Sequence, residues 1–391
     1  MSAIARLLDP PRLRTIELDE ERRATWLELF LDLVFVAAIA EVGLTLTRDP
    51  TAAGFGRFLV LFLPIFWAWA GFTFYATRFD TDDLVYRLLT LLGMFAVAAL
   101  ASAVPDALGD GRNRFVVAYI LVRCILIALY VRAYRHVEVA RPLAGWFIMM
   151  FGIAVGFWLV SLALPSPWCY VLWAVALAFE YVAPVHAWRM MRANPVHPAH
   201  IPERFGLLVI IVLGEAVIAV VLGTATVSWT GASAAAAGAG FLAAASIWWL
   251  YFGFLDTSAA VTRNVLAGMT FVYSHYFVAA GIAASGVGVR LAILSAEPGA
   301  RYDHSGWIAA AGIAICMGGI AAVQVATPPT VFDVDVALRI ATALVAVVLV
   351  AVAPYLSPVL VLWLLAAALV AQVVYELAHH ERHGLSMPRI L

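Results

Sequence analysis

Apolar runs of about 20 residues recur along this chain almost without a break. Wound as an α-helix at 1.5 Å per residue, such a run crosses a hydrocarbon core of about 30 Å. Lipid offers the backbone no hydrogen-bond partner, so each run must satisfy its own amides, and a helix does so. The runs fall near 26–46, 54–77, 86–104, 115–135, 142–164, 167–187, 204–224, 234–255, 266–290, 305–325, 336–355 and 358–377. Hydrophobic residues make up 64% of the chain and charged ones 13%, which leaves too little polar surface to wrap a soluble domain. The expected fold is an all-α, polytopic transmembrane helix bundle of about 12 spans. Prolines at Pro165, Pro167, Pro354 and Pro358 mark two of the breaks, because proline ends a helix.

The placement of charge supplies an orientation. All 24 basic residues are Arg. With the N-terminus inside, 17 of them fall on the cytoplasmic side and 6 on the other, with Arg123 embedded. Arginine excess marks the cytoplasmic face, so both termini are expected in the cytoplasm of a bacterial inner membrane protein. The division reads as a cytoplasmic segment 1–25, a six-helix membrane block 26–187, a cytoplasmic connecting loop 188–203, a second block 204–377 and a cytoplasmic tail 378–391. No signal peptide is expected in 1–25, which lacks an apolar core with a small-residue cleavage site.

Several chemistries are excluded by residue type. Without Lys there is neither a Schiff-base retinal nor a Walker A phosphate loop. Cys124, Cys169 and Cys316 are far apart and form no metal or redox motif. His379, Glu381 and His383 stand one residue short of a zinc-protease HExxH and read as a solvated tail. No cofactor and no metal are expected. A net charge of −1 gives no case for nucleic acid; the expected partners are the bilayer and a proton, cation or small solute, with an oligomer left open. Gly152-x3-Gly156 and the Gly/Ala-rich run 231–245 read as close helix contacts.

The two halves open alike. Glu28-Leu-Phe-Leu-Asp32-Leu-Val-Phe-Val reaches Glu41, and Glu203-Arg-Phe-Gly-Leu reaches Val212-Leu-Gly-Glu215. Trp67-Ala-Trp69, Phe74-Tyr75 and Asp80 are echoed by Trp248-Trp249, Tyr251-Phe252 and Asp256, and Tyr86 by Tyr273. This pattern predicts a 6+6 parallel internal repeat about an axis along the membrane normal, with the functional site at the interface. These motifs, together with Tyr273-Ser-His275, resemble the bacterial low temperature requirement A (LtrA) family over roughly residues 20–380. The resemblance implies a polytopic bacterial membrane protein named for a cold-growth phenotype; it implies no mechanism.

Candidate site residues are the ionisable groups inside the spans. A charge at bilayer depth costs roughly 2.5–3.5 kcal/mol on insertion scales, which makes each a candidate by default. Asp32 lies about 9 Å into the first span and Glu41 nearer its outer end. Glu180 shares its span with Pro184 and His186. Glu215 lies about 18 Å beyond Glu203, beside Gly214, which leaves room for another backbone to approach. It is the leading candidate. His275 titrates near neutral pH and suits a proton relay. Arg123 is expected to pair with Glu180 or Glu215, and Asp256 marks a cytoplasmic helix end. With one embedded arginine against several deep acids, at least one of Asp32, Glu180 and Glu215 is expected to carry a proton.

The expected function is transport or conduction of protons, cations or a small solute through this acidic interior. A membrane-embedded enzyme acting on a lipid or quinone is the rival reading, and a structural or regulatory protein of cold adaptation the third. The lack of a nucleophile motif, metal cluster or phosphate loop counts against the enzyme.

Overall fold

The computed structural model describes residues 10–13, 25–80, 83–193, 200–253, 265–297, 305–327 and 333–383. Twelve helices account for these residues almost entirely: α1 Trp26–Arg48, α2 Ala52–Arg78, α3 Leu84–Ala103, α4 Arg112–His136, α5 Arg141–Ser161, α6 Trp168–Ala193, α7 His200–Thr224, α8 Gly231–Phe252, α9 Val265–Leu294, α10 Gly306–Ala326, α11 Val334–Val352 and α12 Pro358–His383. All twelve are long and apolar enough to span a bilayer. The protein is an all-α, multi-pass membrane protein. One short antiparallel pairing is added, Arg12 with Asp80 and Leu13 with Phe79.

Helix starts follow the local sequence. Thr25 and Glu28 form a reciprocal capping box on α1, with Thr25 N donating to Glu28 Oε2 (3.1 Å) and Glu28 N to Thr25 Oγ1 (3.3 Å). Asp83 caps α3 by accepting from the amides of Val85 and Tyr86, and Asp333 caps α11 by accepting from Val336. Thr230 and Ser233 close a second capping box on α8. Both proline breaks lie where expected, between α5 and α6 and between α11 and α12.

Some boundaries depart from the sequence reading. Residues 188–203, expected as a loop, are helical at both ends: α6 runs to Ala193 and α7 starts at His200. The connection between them, 194–199, lies outside the described residues. The tail expected from 378 is also helical to His383. Polar residues on these added turns are carried by the helix of which they form the last or first turn, and hydropathy alone cuts them off.

The chain packs as two units. The first comprises Met1–Val42 with Val60–Arg204, the second Gly43–Leu59 with Phe205–Leu391. In the first, α3, α4, α5 and α6 pack in sequence order, each on the next. In the second, α9 packs on α10 and α10 on α11, while α12 reaches α8, α9, α10 and α11.

Backbone contact in the second unit is closest between α9 and α10. A Cβ at Gly281 would fall 2.5 Å from the Cys316 nitrogen and 2.6 Å from the Gly312 carbonyl oxygen, and one at Gly312 would fall 2.5 Å from the Ser285 nitrogen. Gly288 abuts the Ala309 backbone in the same way. Small residues at helical spacing let two membrane helices approach this far. Gly152 and Gly156, expected to do the same for α5, have nothing within 4 Å of a Cβ; nor have Gly231 and Gly238. Of the glycines in that run only Gly240 meets a neighbour closely, Val289, while Ala236, Ala239 and Ala243 are buried. For Gly152 and Gly156 the spacing was right, but the opposing surface was not there.

Candidate functional site

Three clusters of buried charge stand out among the described residues, two in the first unit and one in the second; buried Asp83, the α3 cap, forms a further pair with Arg132 at 2.8 Å. Near the middle of α4 and α6, Arg123 Nη2 lies 2.5 Å from Glu180 Oε2, and both side chains are 0% exposed. Tyr119, one turn before Arg123, joins the pair. Its hydroxyl donates to Glu180 Oε2 (2.7 Å) and accepts from Arg123 Nε (3.0 Å) and Nη2 (2.6 Å). The guanidinium also lies 4.9 Å from the Tyr119 ring centre and 5.4 Å from that of Phe151, a cation–π setting. Trp158 packs on Tyr119 at 4.7 Å and stands within electrostatic reach of Glu180. Even so, Arg123 Nη1 and Glu180 Oε1 have no hydrogen-bond partner among the described residues. Gly71 on α2 makes room for the guanidinium, since a Cβ there would lie 3.1 Å from Nη1. Pro184 has no amide hydrogen, so it leaves the carbonyl of Glu180 itself without its helical donor.

The second cluster gathers at the N-terminal ends of α1 and α7. Asp32, wholly buried, accepts through Oδ1 from Trp69 Nε1 and from Arg204 Nη2, each at 2.8 Å. Glu28 lies 3.8 Å from the same arginine, and Asp32 Oδ2 has no partner among the described residues. Trp69 and Gly71 are two residues apart on α2 and so point to nearly opposite faces. Asp32 and the Arg123–Glu180 pair therefore stand on different sides of α2 and do not share one pocket.

The third cluster is a ladder between α11 and α12. Asp335, Arg339 and Thr342 on α11 face Gln372, Glu376 and His380 on α12, and all six are buried. Arg339 Nη2 donates to Glu376 Oε2 (3.3 Å) and to the Leu250 carbonyl (3.3 Å). Gln372 Nε2 donates to Glu376 Oε1 (2.7 Å), and Thr342 Oγ1 to Gln372 Oε1 (2.6 Å). His380 Nε2 lies 3.8 Å from Asp335 Oδ2. None of these six was a candidate in the sequence. The signal was present all the same: positions 372, 376 and 380 recur every fourth residue on one face.

These clusters correct the charge balance. Arg123 is not the one embedded arginine: Arg204 and Arg339, counted above with the cytoplasmic loops, are 4% and 0% exposed and are paired with acids. Asp32, Glu180 and Glu376 each face their own arginine.

The remaining candidates are scattered. His275 Nδ1 lies 2.6 Å from the Phe271 carbonyl, which only accepts, so Nδ1 carries the hydrogen and Nε2 accepts from Tyr251 Oη at 2.7 Å. With Phe205 and Phe271 rings at 4.7 and 4.4 Å, this imidazole has both nitrogens engaged. Glu215 is half-exposed on α7, and its charge is opposed by Arg290 of α9. Gly214 beside it has nothing within 4 Å of a Cβ, so no backbone approaches there. Glu41 is half-exposed on α1. Asp256 lies outside the described residues. Among the described residues no group of three His, Cys, Asp or Glu is placed to hold a metal.

Comparison with known proteins agrees with this architecture. The sequence profile described as bacterial low temperature requirement A protein (LtrA) matches residues 23–374. That stretch takes in all of the buried clusters but His380 and Glu376. An uncharacterized protein of Rhizobium meliloti (strain 1021) is 31% identical over 287 residues, covering 69% of this chain and 69% of its own length. A profile match that begins just before α1 and ends within α12 leaves no span outside it, and the chain belongs to the bacterial low temperature requirement A protein family.

Proposed function

We propose that the protein transports or conducts a proton, a cation or a small solute, and that Arg123 with Glu180 is its charge-handling centre. One observation carries this reading: a wholly buried ion pair at mid-span keeps one guanidinium nitrogen and one carboxylate oxygen without partners. A buried pair adds little net stability over apolar side chains of the same volume. Ionisable residues at membrane depth mark ion, proton or substrate pathways. The Asp32–Arg204 cluster supports the same reading as a second polar station nearer one face.

The test is flux. Purified protein in liposomes, loaded with a pH-sensitive dye and offered a panel of ions, is compared with an Arg123→Leu/Glu180→Met double variant. Removing both charges spares the fold from an unpaired one, so the double variant should remain folded and lose flux. Undiminished flux in a folded double variant sinks the assignment. Glu215→Gln, measured alongside from pH 5.5 to 8, decides whether that half-exposed acid takes part; equal flux and equal pH dependence reduce it to a bystander.

The reading places the protein in the bacterial inner membrane with both termini cytoplasmic, supported by an arginine division that is still 15 to 6 once the embedded Arg204 and Arg339 are set aside. Fusions of a cytoplasm-active reporter to residue 391 should be active and those of a periplasm-active one silent. The reverse pattern would invert the topology. The paired motifs of the two halves support a 6+6 repeat within this scheme.

A further inference from the structure

A groove between α3 and α4 lies apart from the buried pairs. Its volume is about 440 Å³. Ala99, Ser102 and Ala103 form one wall, Val117 and Leu121 the other, and Arg114 stands at one end. From Arg114 to Leu121 the groove follows seven residues of α4, about 10 Å. The Ser102 hydroxyl on the wall donates to the Ala99 carbonyl at 2.8 Å, so it presents no spare donor to the groove. The walls are small and apolar, and they suit the upper part of an acyl chain.

Exposed charges of both signs lie at this end of the α3–α4 hairpin, Arg114 in the groove lining and Asp106 on the connection beside it. Arg114 is exposed and makes no ion pair with another described residue. Its backbone amide donates to the Gly111 carbonyl at 3.0 Å, and Gly111 in turn packs closely on the Asp106 side chain. Asp106 is exposed as well, eight residues before Arg114 and against Gly111, one helical turn below it. A headgroup on Arg114 that extends toward Gly111 has a carboxylate on that side.

We propose that this groove binds a zwitterionic phospholipid of the surrounding bilayer, of the phosphatidylethanolamine type. The phosphate sits on Arg114, the primary ammonium lies beside Asp106, and one acyl chain runs down between Ser102 and Val117. A purely anionic headgroup leaves Asp106 unmatched. A quaternary ammonium has no hydrogen to give it.

Native mass spectrometry of the full-length protein, offered equimolar phosphatidylethanolamine, phosphatidylglycerol and phosphatidylcholine, tests this directly. Wild type should retain phosphatidylethanolamine over the other two. Arg114→Gln should lose about tenfold in retention, the effect of one charge-assisted hydrogen bond. Asp106→Asn should bring phosphatidylglycerol level with phosphatidylethanolamine. Ser102→Leu fills the groove from an exposed position and should abolish retention without lowering the melting temperature; Ala99→Leu is the second filling variant, should the first fail to fold. Equal retention by wild type and a folded filling variant overturns the site. Wild type retaining phosphatidylglycerol or phosphatidylcholine as well as phosphatidylethanolamine overturns the headgroup assignment.

Discussion

Arg123→Leu alone will cost about 3–5 kcal/mol of stability, because it strands a wholly buried Glu180 carboxylate. Tyr119 still donates to that carboxylate, but one neutral donor does not replace a guanidinium. Adding Glu180→Met to the same chain should recover most of the loss, since a well-packed apolar pair is often as stable as a buried ionic one. Thermal unfolding in detergent, followed by intrinsic tryptophan fluorescence, reads both. A double variant as unstable as the single one would show that the two charges do not act as a pair. Recovery of stability without recovery of flux separates what the pair does for the fold from what it does for passage across the membrane.

Gly281→Ala should be nearly as damaging, although it adds a single methyl group. The atoms that methyl would meet, the Cys316 nitrogen and the Gly312 carbonyl oxygen, belong to main chain and cannot swing aside. The helices themselves must separate, at the upper end of the roughly 1–3 kcal/mol typical of overpacking or beyond it. Gly152→Ala and Gly156→Ala are the matched controls. Their surroundings are open, so each should be neutral or gain about 0.5–1 kcal/mol from the better helix former. Equal melting temperatures for Gly281→Ala and Gly152→Ala would mean that α9 and α10 are not held at backbone contact.

How much of this was legible in the chain differs between levels. The spans were, because each is a local property of about 20 consecutive residues and needs no knowledge of neighbours. The Arg123–Glu180 pairing was half legible: the depth of each residue limited the partners to two acids, and packing of α4, α5 and α6 chose between them. Arg204 and Arg339 were not. They stand four and five residues into their helices, where hydropathy alone does not separate a buried arginine from one that reaches water. His380 was hidden by a boundary drawn at 377, which left it in the tail. The close glycines failed for a different reason. A Gly-x3-Gly spacing records what one helix permits; what the opposite helix places there decides whether the permission is used. The same holds for Gly214.

The ladder between α11 and α12 also sets how far one helix is free to slide along the other. Its rungs on α12 recur every fourth residue, so a slip by one turn keeps a polar side chain opposite Arg339 but changes which one: Gln372 or His380 instead of Glu376. Helix geometry would accept that slip, because the backbone repeats itself about every 3.6 residues. Charge does not, since a neutral amide or an imidazole in place of the carboxylate leaves the guanidinium without its counter-ion. The alignment of the last helix is therefore written as a three-letter address, with acid in the middle, that has one correct reading.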